Sequence, residues 1–430
     1  MRRFLVGVRA FLDRAILLMV GFTAVLASAQ ALSRGIRSGG LSPERFPGSG
    51  TSSAASDTSL LRLLPSISVS DECAGAAIFG TRGEPLSLTR SSSAYCTKSD
   101  GTLVLRTDDQ PRLVLAGVMR EGASTNQVIR SQELENAFWT SLNTVTITAN
   151  YAAAPDGTTT ADRVQLGSGA ATARYQAVAG VYESQTHTVS CYVRATAGAQ
   201  TFRLLLTHGG VTNYFSPEKT ATATWQRFIF TQAFGATVGT SALVGVHNDV
   251  AQTAADLVVW GCQLEKNQSH ASSYITTLGT TTARVGETTT MPTPAAISRT
   301  EGCTRVTYTA GFDGFIAGTD YILWLAATDG FRVPYLQSTS VSTYDGVHVV
   351  GTTKTIVANE TFDILTTWTA IGNQLRVKPG GVTAATSAFT TMGAAGASMQ
   401  LLNISGSGAW PAYLRNVIIG AAPTDCGVDP

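Results

Sequence analysis

Residues 257–277 read LVVWGCQLEKNQSHASSYITT. The first four are the β-branched, aliphatic and aromatic residues that fill a buried strand. A cysteine and Gln-Leu-Glu then follow, where a core strand would stay apolar. Side chains along a strand alternate between two faces. Counted in twos, Val258, Trp260, Cys262 and Leu264 share one face, and Gln263 and Glu265 fall on the other or at the strand end. Read this way the polar run is alternation, and no buried charge is needed. The fold then turns on what Cys262 pairs with.

The partner is sought on neighbouring alternating segments. In HTVSCYVRA (187–195), Val189, Cys191 and Val193 face one way, while Thr188, Ser190, Tyr192 and Arg194 face the other. TFRLLLTH (201–208) and WQRFIFTQ (225–232) read as further strands. Cys191 and Cys262 both lie on apolar faces, so they meet across the core or between adjacent strands. A Cys191–Cys262 disulfide is expected.

The rest of the 430-residue chain fits an all-β reading. It has 42 glycines, only 14% charged residues and a net charge of +1. That suits short strands and tight turns and gives no field that would draw nucleic acid. The segment 1–31 carries Arg2, Arg3, Arg9 and Arg14, then an apolar run from Ala15 to about Ala27 and small-x-small sites at 27–31. It reads as a signal peptide or anchor helix. Residues 32–60 are a Gly/Ser/Pro linker. A small β module spans 61–117, with two strands around a Ser-Asp-Gly turn. Residues 118–285 hold the best-patterned strands. A second linker spans 286–300. A final β-sandwich spans 301–430, with Asp-Gly, Gly-Asn and Gly-Gly turns. The fold class is all-β, with tandem sandwiches.

All six cysteines lie beyond the leader and none forms Cys-x-x-Cys. Export favours disulfides over metal sites. Cys73 and Cys96 bracket the first part of the small module. Cys303 opens the last module and Cys426 closes it, and first and last strands of a sandwich are often neighbours. The expected bonds are Cys73–Cys96, Cys191–Cys262 and Cys303–Cys426.

GVMREGASTNQVIRSQELENAFWTS (117–141) and ANYAAAPDGTTTADRVQ (149–165) resemble a module of bacteriophage tail-fibre, head-spike and prophage proteins. Its marks are E-x-x-x-T-N, N-x-x-W, A-P-D-G-T-x-T-A-D, a T-W-x-R strand, W-G-x-Q-L-E and S-Y-I-x-T. The last two are Trp260 to Glu265 and Ser273 to Thr277. The resemblance covers about 118–285 and implies a carbohydrate-binding-like jelly roll. Residues 301–430 are similar to a laminin-G/concanavalin-like sandwich, on ANETFDILTTWTAIGNQLRVKPGGV (358–382). Two departures stand out. Phage fibres do not usually carry a secretory signal. The Arg-Ala-x-Asp that often follows the family's tail is here Ala283-Arg284-Val285-Gly286-Glu287.

Active-site signatures are absent: no H-E-x-x-H, no G-x-S-x-G and no phosphate loop. His187, His208, His247, His270 and His348 are scattered and read as surface or strand-end residues. Asp313, Asp320 and Asp363 are isolated and suit turns better than a paired-carboxylate site. The chain is therefore read as a non-enzyme that binds a surface polysaccharide or glycan. It would act as a virion appendage or an exported cell-surface protein, with homo-oligomer or virion assembly as its other partnership. A polysaccharide-degrading enzyme (a lyase or glycoside hydrolase) is the first alternative, and a ligand-free decoration protein the second. Tyr175, Tyr192, Arg194 and Tyr214 are the candidate sugar contacts. Trp139 and Trp225 read as core anchors. The resemblance also implies a structural Ca2+ near the module's ends, where Glu121, Asn126 and Glu265 could supply oxygens. The competing reading has Asn126 capping a turn and both glutamates solvated.

Overall fold

The computed structural model describes residues 59–63, 72–74, 87–180, 182–208, 212–236, 239–292, 297, 300–311, 316–326, 332–338, 340–344, 349–357, 359–369, 372–378, 382–385, 395–405 and 411–426. The expected leader at 1–31 and nearly all of the expected linker at 32–60 lie outside them. The chain is all-β. Among the described residues, strands and one short 3-10 turn, Pro423–Cys426, make up the regular structure.

The jelly roll packs two antiparallel sheets face to face. The first runs Gln226–Ala233, Thr186–Ala195, Ala255–Glu265, Ala161–Leu166, Val145–Ala152; the short strand Ser124–Asn126 pairs with Ala255–Glu265 and with Thr282–Arg284. The second runs Thr212–Phe215, Gln200–His208, Ser241–His247, Ala173–Ala179, Trp139–Leu142. Alternating residues of both sheets fill one core. Val189, Cys191 and Val193 meet Phe202, Leu204, Val244 and Val246 there. Trp139 is also in this core, as expected.

The opening stretch differs from simple alternation at one place. Leu257, Val259, Cys262 and Leu264 enter the sheet-to-sheet core, whereas Val258 and Trp260 enter a separate cluster on the far side. Face parity therefore changes between Trp260 and Cys262. The cause is Gly261, which has φ +62°. The pairing with Thr186–Ala195 shifts by one residue between Ser190 and Tyr192, so the strand bulges there. The Cys262 amide, freed from the ladder, donates to the Ser131 carbonyl at 3.0 Å. A Cβ on Gly261 would lie 3.2 Å from the Tyr274 ring, in addition to the strained φ. Cys262 and Leu264 sit where alternation places them. Val258 and Trp260 do not, because alternation cannot count through a bulge.

The three expected disulfides are present: Cys73–Cys96, Cys191–Cys262 and Cys303–Cys426. Cys191 and Cys262 lie on adjacent strands, with Cα atoms 4.1 Å apart. Gly302–Ala310 pairs with Ala412–Gly420, which brings the ends of the last module together for the third bond.

The C-terminal sandwich reaches outside its expected bounds. One sheet takes Arg112–Val114, Gly117–Arg120 and Ser59–Leu63 beside its own strands; the other takes Ser87–Thr89 and Thr288–Pro292. The stretch 286–300, expected to be a linker, thus contributes a strand. The Ser-Asp-Gly hairpin of the small module forms as expected, Ala94–Thr97 against Leu103–Arg106, with Gly101 at φ +85°.

Candidate functional site

The outer face of the jelly roll's second sheet carries a row of residues aligned across its strands. Thr140, Tyr175, Gly245, Leu205 and Phe215 lie in register across five of its six strands. Their sequence neighbours Val244, Val246, Leu204 and Leu206 point into the core, so this row points away from it. Tyr175 and Phe215 are half-exposed. Gly245 lets the strand of Tyr175 approach closely, and Leu205 on its other side is buried. A Cβ on Gly245 would come 2.1 Å from the Arg174 carbonyl oxygen, so no other residue fits this close strand approach. Polar groups flank the row. The Arg203 guanidinium lies over the Phe215 ring, 4.4 Å from its centroid, and its Nε donates to the Asn248 carbonyl at 3.1 Å. Asn213 is exposed on the last strand. The half-exposed Tyr175 ring, with the exposed Thr140 beside it in register, can stack the C–H face of a sugar and hydrogen-bond its hydroxyls.

The four candidate sugar contacts do not converge. Tyr175 is on this face. Tyr214 is one residue from Phe215 in the strand Thr212–Phe215, and its ring turns inward to stack on Phe234 at 5.3 Å. Tyr192 and Arg194 belong to the other sheet. Tyr192 was expected to face outward, but it is buried between Trp260 and Tyr274. The small module's Tyr95 and Leu103 complete that cluster, covering the face that alternation assigned to solvent. Arg194 is half-exposed, with its guanidinium over Trp225 at 5.4 Å. Trp225 packs at the edge of the same cluster and donates to the Ala153 carbonyl at 3.2 Å, so it is a rim residue and not a core anchor. Phe215, Gly245 and Arg203 carry no signal in the sequence. Only cross-strand register brings these three together.

Glu121, Asn126 and Glu265 do not suit a cation. All three are buried and engaged by protein donors. Asn126 donates to the Cys262 and Ile275 carbonyls at 3.2 and 2.9 Å and accepts from the Val128 and Leu264 amides. Glu265 accepts from Ser124 Oγ at 2.6 Å and from the amide and hydroxyl of Ser272. It is a buried carboxylate in the stretch where alternation required no buried charge. Glu121 accepts from Ser273 N at 2.7 Å and from Arg112 Nη1 at 2.7 Å. A hard cation needs six or more free oxygens, and these oxygens already face N–H and O–H groups. Among the described residues no cluster of three His, Cys, Asp or Glu is placed to hold a metal.

Glu121 instead belongs to a buried junction between the jelly roll and the strands before and after it. Arg112 grips Glu287 with two bonds, Nε to Oε1 at 2.9 Å and Nη2 to Oε2 at 2.6 Å, and reaches Glu121 with Nη1. Arg90 also pairs with Glu287. The Glu121 and Glu287 backbones exchange a bond at 3.0 Å, Glu287 N to Glu121 O. Burial pushes the Glu121 carboxyl up. The charges of Arg284 and Arg112, with the Ser273 and Arg112 hydrogen bonds, outweigh it and hold the group well below the usual carboxylate range. Glu287 is held low in the same way, burial opposed by Arg112 first.

Other polar residues are structural. Asp162, the last residue of A-P-D-G-T-x-T-A-D, accepts from the Leu134 amide at 2.6 Å and the Asn150 amide at 2.8 Å. Burial, with neighbouring Glu135, pushes its carboxyl up to about 7. His187, His208 and His247 stand at or near strand ends, but they and His270 are buried rather than at the surface. His348 lies outside the described residues. Asp363 pairs with Arg305 at 2.7 Å and accepts from Thr307 Oγ1. Asp313 lies outside the described residues, and Asp320 is in the strand Ile316–Ala326.

No protein family and no curated protein matches the sequence. Solved structures with similar folds include the CBM22-1 xylan-binding domain of Paenibacillus barcinonensis Xyn10C. It is 13% identical, covers 34% of this chain and 94% of its own, and has a TM-score of 0.25. The tandem CBM22-1–CBM22-2 of the same protein is 11% identical over 70% of this chain and 99% of its own, with a TM-score of 0.27. Domains LG4-5 of the mouse laminin alpha1 chain are 8% identical over 60% and 84%, with a TM-score of 0.21.

Proposed function

We propose that this protein is a non-catalytic glycan-binding protein. It contacts a surface polysaccharide through the outer face of the jelly roll's second sheet. The observation that carries the reading is the cross-strand row Tyr175–Gly245–Leu205–Phe215, which presents the half-exposed Tyr175 and Phe215 rings with Arg203 over Phe215. Sugars bind proteins by such stacking because their axial C–H bonds form an apolar face that a ring can cover. Three disulfides support residence in an oxidising compartment or on a surface exposed to one. The phage-type motifs at 117–165 and 260–277 support a virion appendage or an exported surface protein of the same build.

A glycan array followed by calorimetry on the best hit tests the reading. Tyr175→Ala, at a half-exposed position, is expected to weaken binding about tenfold or more while leaving the melting temperature nearly unchanged. Release of reducing sugar from the same hit, lost on substitution of one carboxylate, would make the protein an enzyme and overturn the reading.

A further inference from the structure

A second opening lies where the strands Ser124–Asn126 and Thr282–Arg284 meet the turn after Glu265. It is a groove of about 430 Å³, and Ser124, Thr125, Gln127, Gln185, Lys266 and Arg284 are among its lining. None of these residues belongs to the Tyr175 face.

Arg284 is 1% exposed. Its Nη2 lies 3.4 Å from Glu121 Oε2, an ion pair without a hydrogen bond. Nε and Nη1 have no hydrogen-bond acceptor. The junction beneath it explains why. Among the described residues, Arg90, Arg112 and Arg284 form ion pairs with only two carboxylates, Glu121 and Glu287. Arg112 and Arg90 hold those carboxylates with direct hydrogen bonds, and Arg284 is the third cation, paired with Glu121 by charge but with no hydrogen bond from its guanidinium. A buried guanidinium with idle donors is costly unless an anion completes it.

The groove supplies the rest of an anion site. Lys266 is half-buried, its ammonium 5.3 Å from the centre of the Tyr182 ring. No described carboxylate forms a salt bridge with it. Glu265 stands near, but its oxygens are taken by Ser124 and Ser272. Gln185 Oε1 is buried without a donor. A guanidinium matches a planar carboxylate with two parallel bonds. An idle amide oxygen calls for a hydroxyl. A sugar acid offers both groups on one ring.

We propose that this groove is a second ligand site, which binds a carboxylate-bearing sugar, a uronate unit of an acidic polysaccharide. Arg284 and Lys266 receive the carboxylate, and Gln185 accepts from a ring hydroxyl.

Calorimetry on the full chain tests this with three probes: oligogalacturonate, oligomannuronate and a glucuronate-containing hyaluronan fragment. Each is run beside its methyl ester, and acetate serves as the bare anion. At least one acid is expected to bind, with its ester about tenfold or more weaker and with affinity falling as salt rises. Lys266→Glu, at a half-buried position, should weaken the acid about tenfold; Arg284→Gln should do the same if it folds. Tyr175→Ala should change nothing, which separates this site from the sheet face. The proposal is overturned if none of the three acids binds. It also falls if acid and ester bind equally, if Lys266→Glu leaves affinity unchanged, or if acetate alone matches the oligosaccharide.

Discussion

The jelly roll and the C-terminal sandwich are made of similar strands, but they complete their sheets differently. Every strand of the jelly roll's two sheets falls between Ser124 and Arg284. The C-terminal sandwich takes in five strands from before residue 293: Ser59–Leu63, Ser87–Thr89, Arg112–Val114, Gly117–Arg120 and Thr288–Pro292. The first is therefore a unit in sequence as well as in space. The second is a unit in space only. Its integrity depends on the junction at Arg112, Glu121 and Glu287, through which chain enters and leaves the jelly roll.

Breaking that junction should have the largest effect. Glu287→Ala leaves Arg90 and Arg112 buried without their main partner. The expected loss is about 3–5 kcal/mol, read by denaturant unfolding. Residues 87–120 and 288–292 should lose protection from hydrogen exchange before the jelly-roll strands do. A loss below about 1 kcal/mol would mean the junction is not what ties the two sandwiches together.

The disulfides sharpen the contrast. Cys191→Ala with Cys262→Ala should lower stability by about 2–4 kcal/mol and leave the jelly roll folded, because that core is complete without the bond. Cys303→Ala with Cys426→Ala should cost about as much or more, since the bond closes a longer loop. Its damage should spread to the strands recruited from elsewhere. Thermal melts with exchange mapping decide between equal and unequal spread.

Gly261→Ala is a smaller change within the jelly roll. The positive φ and the 3.2 Å approach of Tyr274 predict a loss of about 1–2 kcal/mol. A neutral melt would show that the bulge does not need its glycine.

The last effect is on pH dependence, and its sign differs between the regions. Glu121 and Glu287 are held low, so the junction contributes fully above the ordinary carboxylate range and loses its contribution as pH falls. Asp162 is raised from 3.8 to about 7, so its contribution is complete below about pH 3.8 and is lost as pH rises toward 7. Asp162→Asn should flatten the melting temperature across that window, while Glu287→Gln should flatten it on the acid side. If Asp162→Asn leaves the neutral-side slope intact, the carboxyl is not raised.

Much of this was legible in the sequence because it was local. Alternation located the strands around Cys191 and Cys262, and inward-facing cysteines gave the bond. The Ser-Asp-Gly turn announced its hairpin. What was missed has three physical causes. A bulge at Gly261 moved Val258 and Trp260 to the other face, though a glycine inside a strand was itself the warning. Strands of three to five residues such as Ser87–Thr89 and Thr288–Pro292 carry no usable period, and their partners lie far along the chain. Tyr192 was assigned to solvent because nothing in its own strand shows that another module covers it. Of the proposed glycan face, only Tyr175 is a candidate from the sequence, since Gly245 and Arg203 acquire meaning through register alone.

The central claim is that the row through Tyr175 and Gly245 holds the glycan. Backbone amide NMR of the deuterated full chain, titrated with the best array hit, tests it most directly. The largest shift changes should fall on Tyr175, Gly245, Leu205 and Phe215, and they should vanish in Tyr175→Ala. Changes confined to residues outside the outer face of that sheet, with Tyr175→Ala binding as the parent does, would contradict it.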